Sequence, residues 1–229
     1  MKTLLRISLA AFALASSAAL RAEVSAQAWL ESYYLNPQPA ELPRAVERLS
    51  RDGYLARGEN VAVAIGFLGA VFAQHPARVD GWLQSLSHLP ARDQRLLAAA
   101  VWQSGHPIGN TILRTHAANS PVRAEVERLA SLPPQVIAET SVQSPSSMRL
   151  RWGAFLATGH ERHIVAILDG FGLENPRLHS AARMALAQNA ATHPRVLEIC
   201  RTQIDRQPEE IRGELRAALN VPDRPAPRS

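Results

Sequence analysis

Beyond residue 26 the apolar positions of the chain recur at intervals of three and four. Val79, Trp82, Leu83 and Leu86 share one helix face, Val122, Val126 and Leu129 a second, and Ile211, Leu215, Ala218 and Leu219 a third. No stretch keeps the alternation of a half-buried strand. The two Asp-Gly pairs, Asp52-Gly53 and Asp169-Gly170, follow helical patterns, where glycine serves as a C-terminal cap rather than a hairpin turn. The pattern predicts an all-α chain of about twelve helices, over 27–35, 43–52, 60–74, 77–88, 91–104, 108–118, 121–131, 146–158, 161–170, 176–191, 194–206 and 208–219.

The sixteen prolines tend to fall between these stretches. There the ring occupies a first helical turn, whose N–H has no partner to lose. Ser120-Pro121, Ser144-Pro145 and Asn175-Pro176 each put a capping side chain directly before the proline, and Pro208-Glu209-Glu210 puts two acids where the helix dipole favours them. The run Val61–Ala73 is the most apolar of the mature chain and too short to cross a membrane. It predicts a central helix packed on all sides, with Gly66 and Gly69 admitting a close neighbour, and Ala181, Ala182, Ala185 and Leu186 suggest a second tight contact.

A spacing recurs within this layout. His75-Pro76 is followed by Pro90, His106-Pro107 by Pro121 and His193-Pro194 by Pro208, fourteen residues from proline to proline each time. The first two units start 31 residues apart, the period of stacked helix pairs, and the third breaks the period. From Pro43 to Leu219 the chain resembles HEAT-like and other αα-repeat proteins in format, without matching a family consensus. The resemblance implies an array of short antiparallel helix pairs, an αα-superhelix with a surface for partners. The tetratricopeptide groove is not implied, because Trp82-Leu83 lacks that family's following glycine and tyrosine. Trp29 to Pro37 and Trp152-Gly153-Ala154-Phe155 resemble segments of exported bacterial helical proteins.

Export is also predicted from the N-terminus itself. Lys2 and Arg6 precede the apolar run Ile7–Leu20, and Val24-Ser25-Ala26 offers the small side chains a signal peptidase needs, with Leu20-Arg21-Ala22 a poorer option upstream. The expected layout is a signal peptide over 1–26, a single helical repeat-like domain over 27–220 and a disordered, proline-rich tail over 221–229. No stable membrane anchor is expected after cleavage, so the protein is placed in the periplasm or outside the cell.

Composition narrows the function classes. With 46% hydrophobic and 20% charged residues the chain has the makings of a core and is not a disordered class. Removing residues 1–26 leaves a net charge of +3, with arginines interspersed among acids and no basic run, which argues against nucleic-acid binding. The only cysteine, Cys200, lies in an apolar helical stretch and reads as a small buried hydrophobe. Past the signal no lysine remains, which removes Schiff-base chemistry and covalent pyridoxal attachment. There is no Gly-x-Ser-x-Gly elbow and no phosphate loop.

Gly159-His160-Glu161-Arg162-His163 is the most metal-like cluster. Zinc needs a third ligand, for which His179 is the candidate, and a catalytic helix would show the His-Glu-x-x-His spacing. His160 and His163 therefore read as exposed capping residues at a helix start, and the His-Pro histidines as capping or packing groups. No catalytic, metal or cofactor residue is assigned. Trp29, Tyr33 and Tyr34, on one helix face, are either a cap over the first repeat or a partner-binding patch, and with His160 and His163 they are the candidate partner contacts. The expected function is an exported helical-repeat binding or scaffold protein for a protein or peptide partner. The alternatives are a metal-assisted hydrolase using His160 and His163, and a structural envelope protein.

Overall fold

Every predicted periodic stretch is helical in the protein, and the prolines set the boundaries. The coordinates are a computed structural model and describe residues 25–118, 120–172 and 175–220; the expected signal segment before Ser25 and the tail from 221 lie outside the described residues. The twelve helices are α1 (Ala26–Ser32), α2 (Leu42–Arg51), α3 (Gly58–Gln74), α4 (Pro76–Ser85), α5 (Ala91–Gln103), α6 (Gly109–Ala117), α7 (Arg123–Ala130), α8 (Pro145–Thr158), α9 (Glu161–Asp169), α10 (Pro176–Thr192), α11 (Pro194–Ile204) and α12 (Glu209–Ala218). Short 3-10 turns join several of them, and the described residues contain no strand.

Two of the three predicted caps are present; the third is not, because α7 starts only at Arg123 with Val122 at its N-cap, and Ser120 Oγ accepts from the Val122 amide in the turn before it. Ser144 accepts from the Ser147 amide while Ser147 returns a bond to the Ser144 amide, and Asn175 accepts from Arg177 and Leu178. Each satisfies donors that the first helical turn leaves open. Of the histidines before proline, His106 accepts from the Ile108 amide through Nδ1, and the other two pack instead. His75 and His193 occupy the N-cap positions of α4 and α11 without a side-chain cap bond, and their rings meet Trp82 and Trp152 edge-on, with centroids 6.1 and 5.1 Å apart.

The core is organised around α3, which packs most extensively on α8 and next on α5. Val63, Phe67, Leu68, Val71 and Phe72 are buried around its circumference, as expected of the most apolar segment. Two glycines set the α3–α8 distance. A Cβ on Gly66 would overlap the carbonyl oxygen of Leu150, whose carbon lies at 2.8 Å, and a Cβ on Gly153 would overlap the Val63 carbonyl, with Phe67 N at 2.7 Å. The two backbones are therefore in contact, and the partner of Gly66 is a glycine-bearing helix far away in sequence. Successive helices also pair, α6 with α7, α8 with α9 and α10 with α11, but the largest interface joins helices separated by four others.

The N-terminal aromatics close this crossing. Trp29 and Tyr33 meet Phe67 edge-on at 5.8 and 5.1 Å, and Tyr34 lies 5.1 Å from Phe155. Ser25 caps α1, and Ala26, the last residue of the expected signal, is buried in the same core. At the far end Cys200 is buried, and burial pushes its thiol up to about 12, so it behaves as an apolar side chain.

Between α7 and α8 the chain carries no α-helix for fourteen residues, 131–144, yet it is tightly held. Trp102 Nε1 donates to the Pro133 carbonyl at 2.9 Å, Asn110 Nδ2 to Leu132, and the Gln135 amide to the Trp102 carbonyl. Ile137 plugs into the space beside Gly69, where a Cβ would stand 2.9 Å from its Cδ1. This strap lies across the ends of α3 and α5 and forms one wall of the site described next.

Candidate functional site

Gly159 ends α8 in the left-handed region, φ 65°, which favours glycine because an L side chain there is strained. The turn lets α9 start two residues later with His160 at its N-cap, exposed and making no side-chain cap bond. Arg162 is also exposed. His163 is not: it is 2% exposed, on the face that carries Ile164 and Ile167 into the core. The expectation of two exposed capping histidines thus holds for His160 in exposure and position but not in a cap bond, and is corrected for His163. Its i,i+4 relation to Ile167 turns the imidazole inward.

What His163 meets inside fixes its chemistry. Nη1 of Arg151 lies 3.4 Å from Nδ1. A guanidinium has only donors, so Nδ1 is the acceptor and the ring proton sits on Nε2. Burial, followed by the charges of Arg151 and Arg162, holds the pKa down to about 3, so the ring is neutral at physiological pH. Its Nε2 is buried and has no hydrogen-bond partner. Such a donor is a standing cost unless an acceptor reaches it.

Arg151 is itself 5% exposed and forms no ion pair among the described residues. Nε donates to the Thr140 carbonyl at 2.9 Å and Nη2 to the same oxygen, tying α8 to the strap. Burial lowers its pKa, Arg162 adds in the same direction, and only Asp169 opposes.

His163 lines a cleft of about 230 Å³ between the last turns of α3 and α5, the strap and the start of α9. Its polar wall is Gln74, Gln103, Ser104, Thr158, His160, Arg162 and His163; its apolar floor is Gly69, Ala70, Ala73, Val136 and Ile137. No acid lines it. Gln103 Nε2 donates to Gln135 Oε1 at 2.9 Å, and Gln103 Oε1 is buried without a partner. One cleft thus holds an unpaired buried donor and an unpaired buried acceptor. Its hydroxyls are occupied: Ser104 donates to Val101 at 2.6 Å and Thr158 to Ala154 at 2.8 Å, so neither is paired with an imidazole as a nucleophile would be.

The other candidates fall elsewhere. Tyr33 is 1% exposed, an edge-to-face partner of Phe67 and Trp29, so the structure places it in the core rather than on a surface a partner could touch. Trp29 and Tyr34 are half-buried on the same core, and Tyr34 Oη lies 3.5 Å from His193 Nδ1. His179 is not drawn to the pair at α9: its Nδ1 lies 2.7 Å from the Phe171 carbonyl and its Nε2 2.8 Å from Glu214. Among the described residues no three His, Cys, Asp or Glu side chains converge.

Two residues of the site, Arg151 and Gln103, escape a reading of motifs. Arg151 leaves a trace in the pattern, three residues after Met148 and four before Phe155, hence on the face both bury. Gln103 leaves none, since its role comes from the strap. Comparison of the chain with protein-family models, with curated proteins and with solved structures finds no match to any of them.

Proposed function

We propose that this is an exported, all-helical binding protein that takes a protein or peptide partner at the cleft beside the start of α9. The observation that carries the reading is the pairing of an unpartnered donor on His163 with an unpartnered acceptor on Gln103 in one open cleft. Buried polar groups are satisfied in folded proteins, and a donor and an acceptor buried in the walls of one cleft are what a ligand's own polar groups complete once they reach them. In the cleft the Ser104 and Thr158 hydroxyls both donate to backbone carbonyls and Nδ1 of His163 is already engaged by Arg151, which favours binding over hydrolysis there. Helix pairs α6–α7, α8–α9 and α10–α11 support an αα-repeat ancestry of the scaffold, folded over on itself by the α3–α8 crossing. Export rests on the sequence of residues 1–26.

The test is site-specific photocrosslinking in a Gram-negative host, with p-benzoylphenylalanine in place of Ala138 at the cleft rim or of Met184, 60% exposed on α10. The expected result is one saturable adduct in the periplasmic fraction from position 138 and none from 184. Identical patterns from both positions, or no adduct at 138, contradict the reading.

A further inference from the structure

Resting on that reading of the cleft, we infer that it recognises an α-carboxylate with an adjacent N–H, the chemistry of a peptide's C-terminal residue, through Nε2–H of His163, Arg162 and the first turn of α9. Four observations converge. The tautomer imposed by Arg151 makes Nε2 a donor, and a donor in a dry wall calls for an acceptor. The charge lining the cleft is Arg162 alone, with Arg151, unpaired by any carboxylate, against His163; the one acid of the first turn of α9, Glu161, is exposed and lies outside the lining. The amides at the start of α9 add the positive end of a nine-residue helix at the same wall. In the lining of the same cleft, the buried Gln103 Oε1 is the acceptor for a ligand N–H.

Size agrees with this class. A space of about 230 Å³ admits one terminal residue with its carboxylate and amide, and the apolar floor of Ala70, Ala73, Val136 and Ile137 suits a small aliphatic side chain. Binding would satisfy both orphaned groups at once. Neutral His163 keeps its single proton throughout, so the contact is a hydrogen bond added to the field of Arg162 rather than an ion pair of its own. His160, exposed at the rim, is free to follow the incoming chain.

The experiment titrates the full chain, ¹⁵N-labelled, with acetyl-tetraalanine bearing either a free C-terminal carboxylate or an amide, and with N-acetylalanine. The expected result is shifts centred on His163 and Gln103, with the carboxylate bound at least about tenfold more tightly than the amide, the effect of one charge-assisted contact. Arg162→Gln, on an exposed side chain, should weaken the carboxylate by a similar factor and leave the amide unchanged; His163→Phe should abolish the preference. Equal affinity of carboxylate and amide, or no shift with either, overturns the inference. If the position-138 adduct persists in that case, the binding reading stands and only the ligand class fails. Tighter binding of the tetrapeptide than of N-acetylalanine assigns the site to peptide ends, and equal binding assigns it to small carboxylates; either supports the chemistry.

Discussion

The α3–α8 crossing and the α9 cleft share a helix, α8, yet treat burial in opposite ways. At the crossing two backbones touch through Gly66 and Gly153, aromatic rings fill the flanks, and no charge enters. Two residues before Gly153 on α8, Arg151 carries a charge inward, and it holds His163 in a form whose second nitrogen stays unmatched. The first arrangement gains its stability from apolar packing, with the Tyr33 hydroxyl buried unpartnered at its edge. The second is costly for stability, and proteins tolerate such local conflict where a site needs it.

The comparison breaks most visibly at the crossing. Phe67→Ala removes a ring buried against Trp29 and Tyr33 and should cost about 3–5 kcal/mol, read from urea midpoints at constant m. Gly153→Ala drives a methyl into the Val63 carbonyl, where only backbone can yield, and should cost about 3 kcal/mol. If Gly153→Ala leaves the midpoint unchanged, the helices are not in backbone contact.

Smaller losses are expected on the cleft side. Arg151→Ala empties the space of the buried stem and strands the Thr140 carbonyl and should cost about 2–3 kcal/mol, while Arg151→Met, which keeps the stem's packing and removes the buried charge but also strands that carbonyl, should recover part of that loss. Equal losses for both would mean that the guanidinium contacts themselves carry the stability.

Protonation separates the regions further. His163 titrates near 3 when folded, against an ordinary value of 6.5, so between these limits the unfolded chain binds the extra proton. Stability is full above about pH 6.5 and is lost as pH falls toward 3. His75 and His193, also held low by burial, act in the same direction. His163→Phe should flatten the acid limb of the stability curve between those values, a change that Phe67→Ala should not produce. The smallest effect belongs to neither region: Ser144→Ala removes the cap of α8 and should cost about 1 kcal/mol.

The hydrophobic pattern made the helices legible because proline and short polar caps punctuate it, and their number and order agree with the pattern to within a few residues at each end. Gly66 was legible as a point of close approach, but its partner was not, since nothing in the periodicity of α3 points to Gly153. The proline spacing pointed to neighbour stacking, whereas burial of an all-round apolar helix required wrapping it from both sides by distant elements. His163 was read with His160 as a pair because two histidines three apart resemble ligands. Its spacing to Ile167 was the better guide. Nothing in the pattern marks the strap, whose contacts through Trp102, Gln103 and Asn110 arise only once α5 and α6 are in place.

The central claim is that the cleft holds a neutral imidazole with an unpartnered Nε2–H. Long-range ¹H–¹⁵N correlation of the histidine rings in the ligand-free full chain at neutral pH reads this directly. The account predicts that His163 shows the Nε2-protonated neutral pattern and keeps it down to about pH 4. A proton on Nδ1, or an imidazolium at neutral pH, would contradict the Arg151 contact and with it the site.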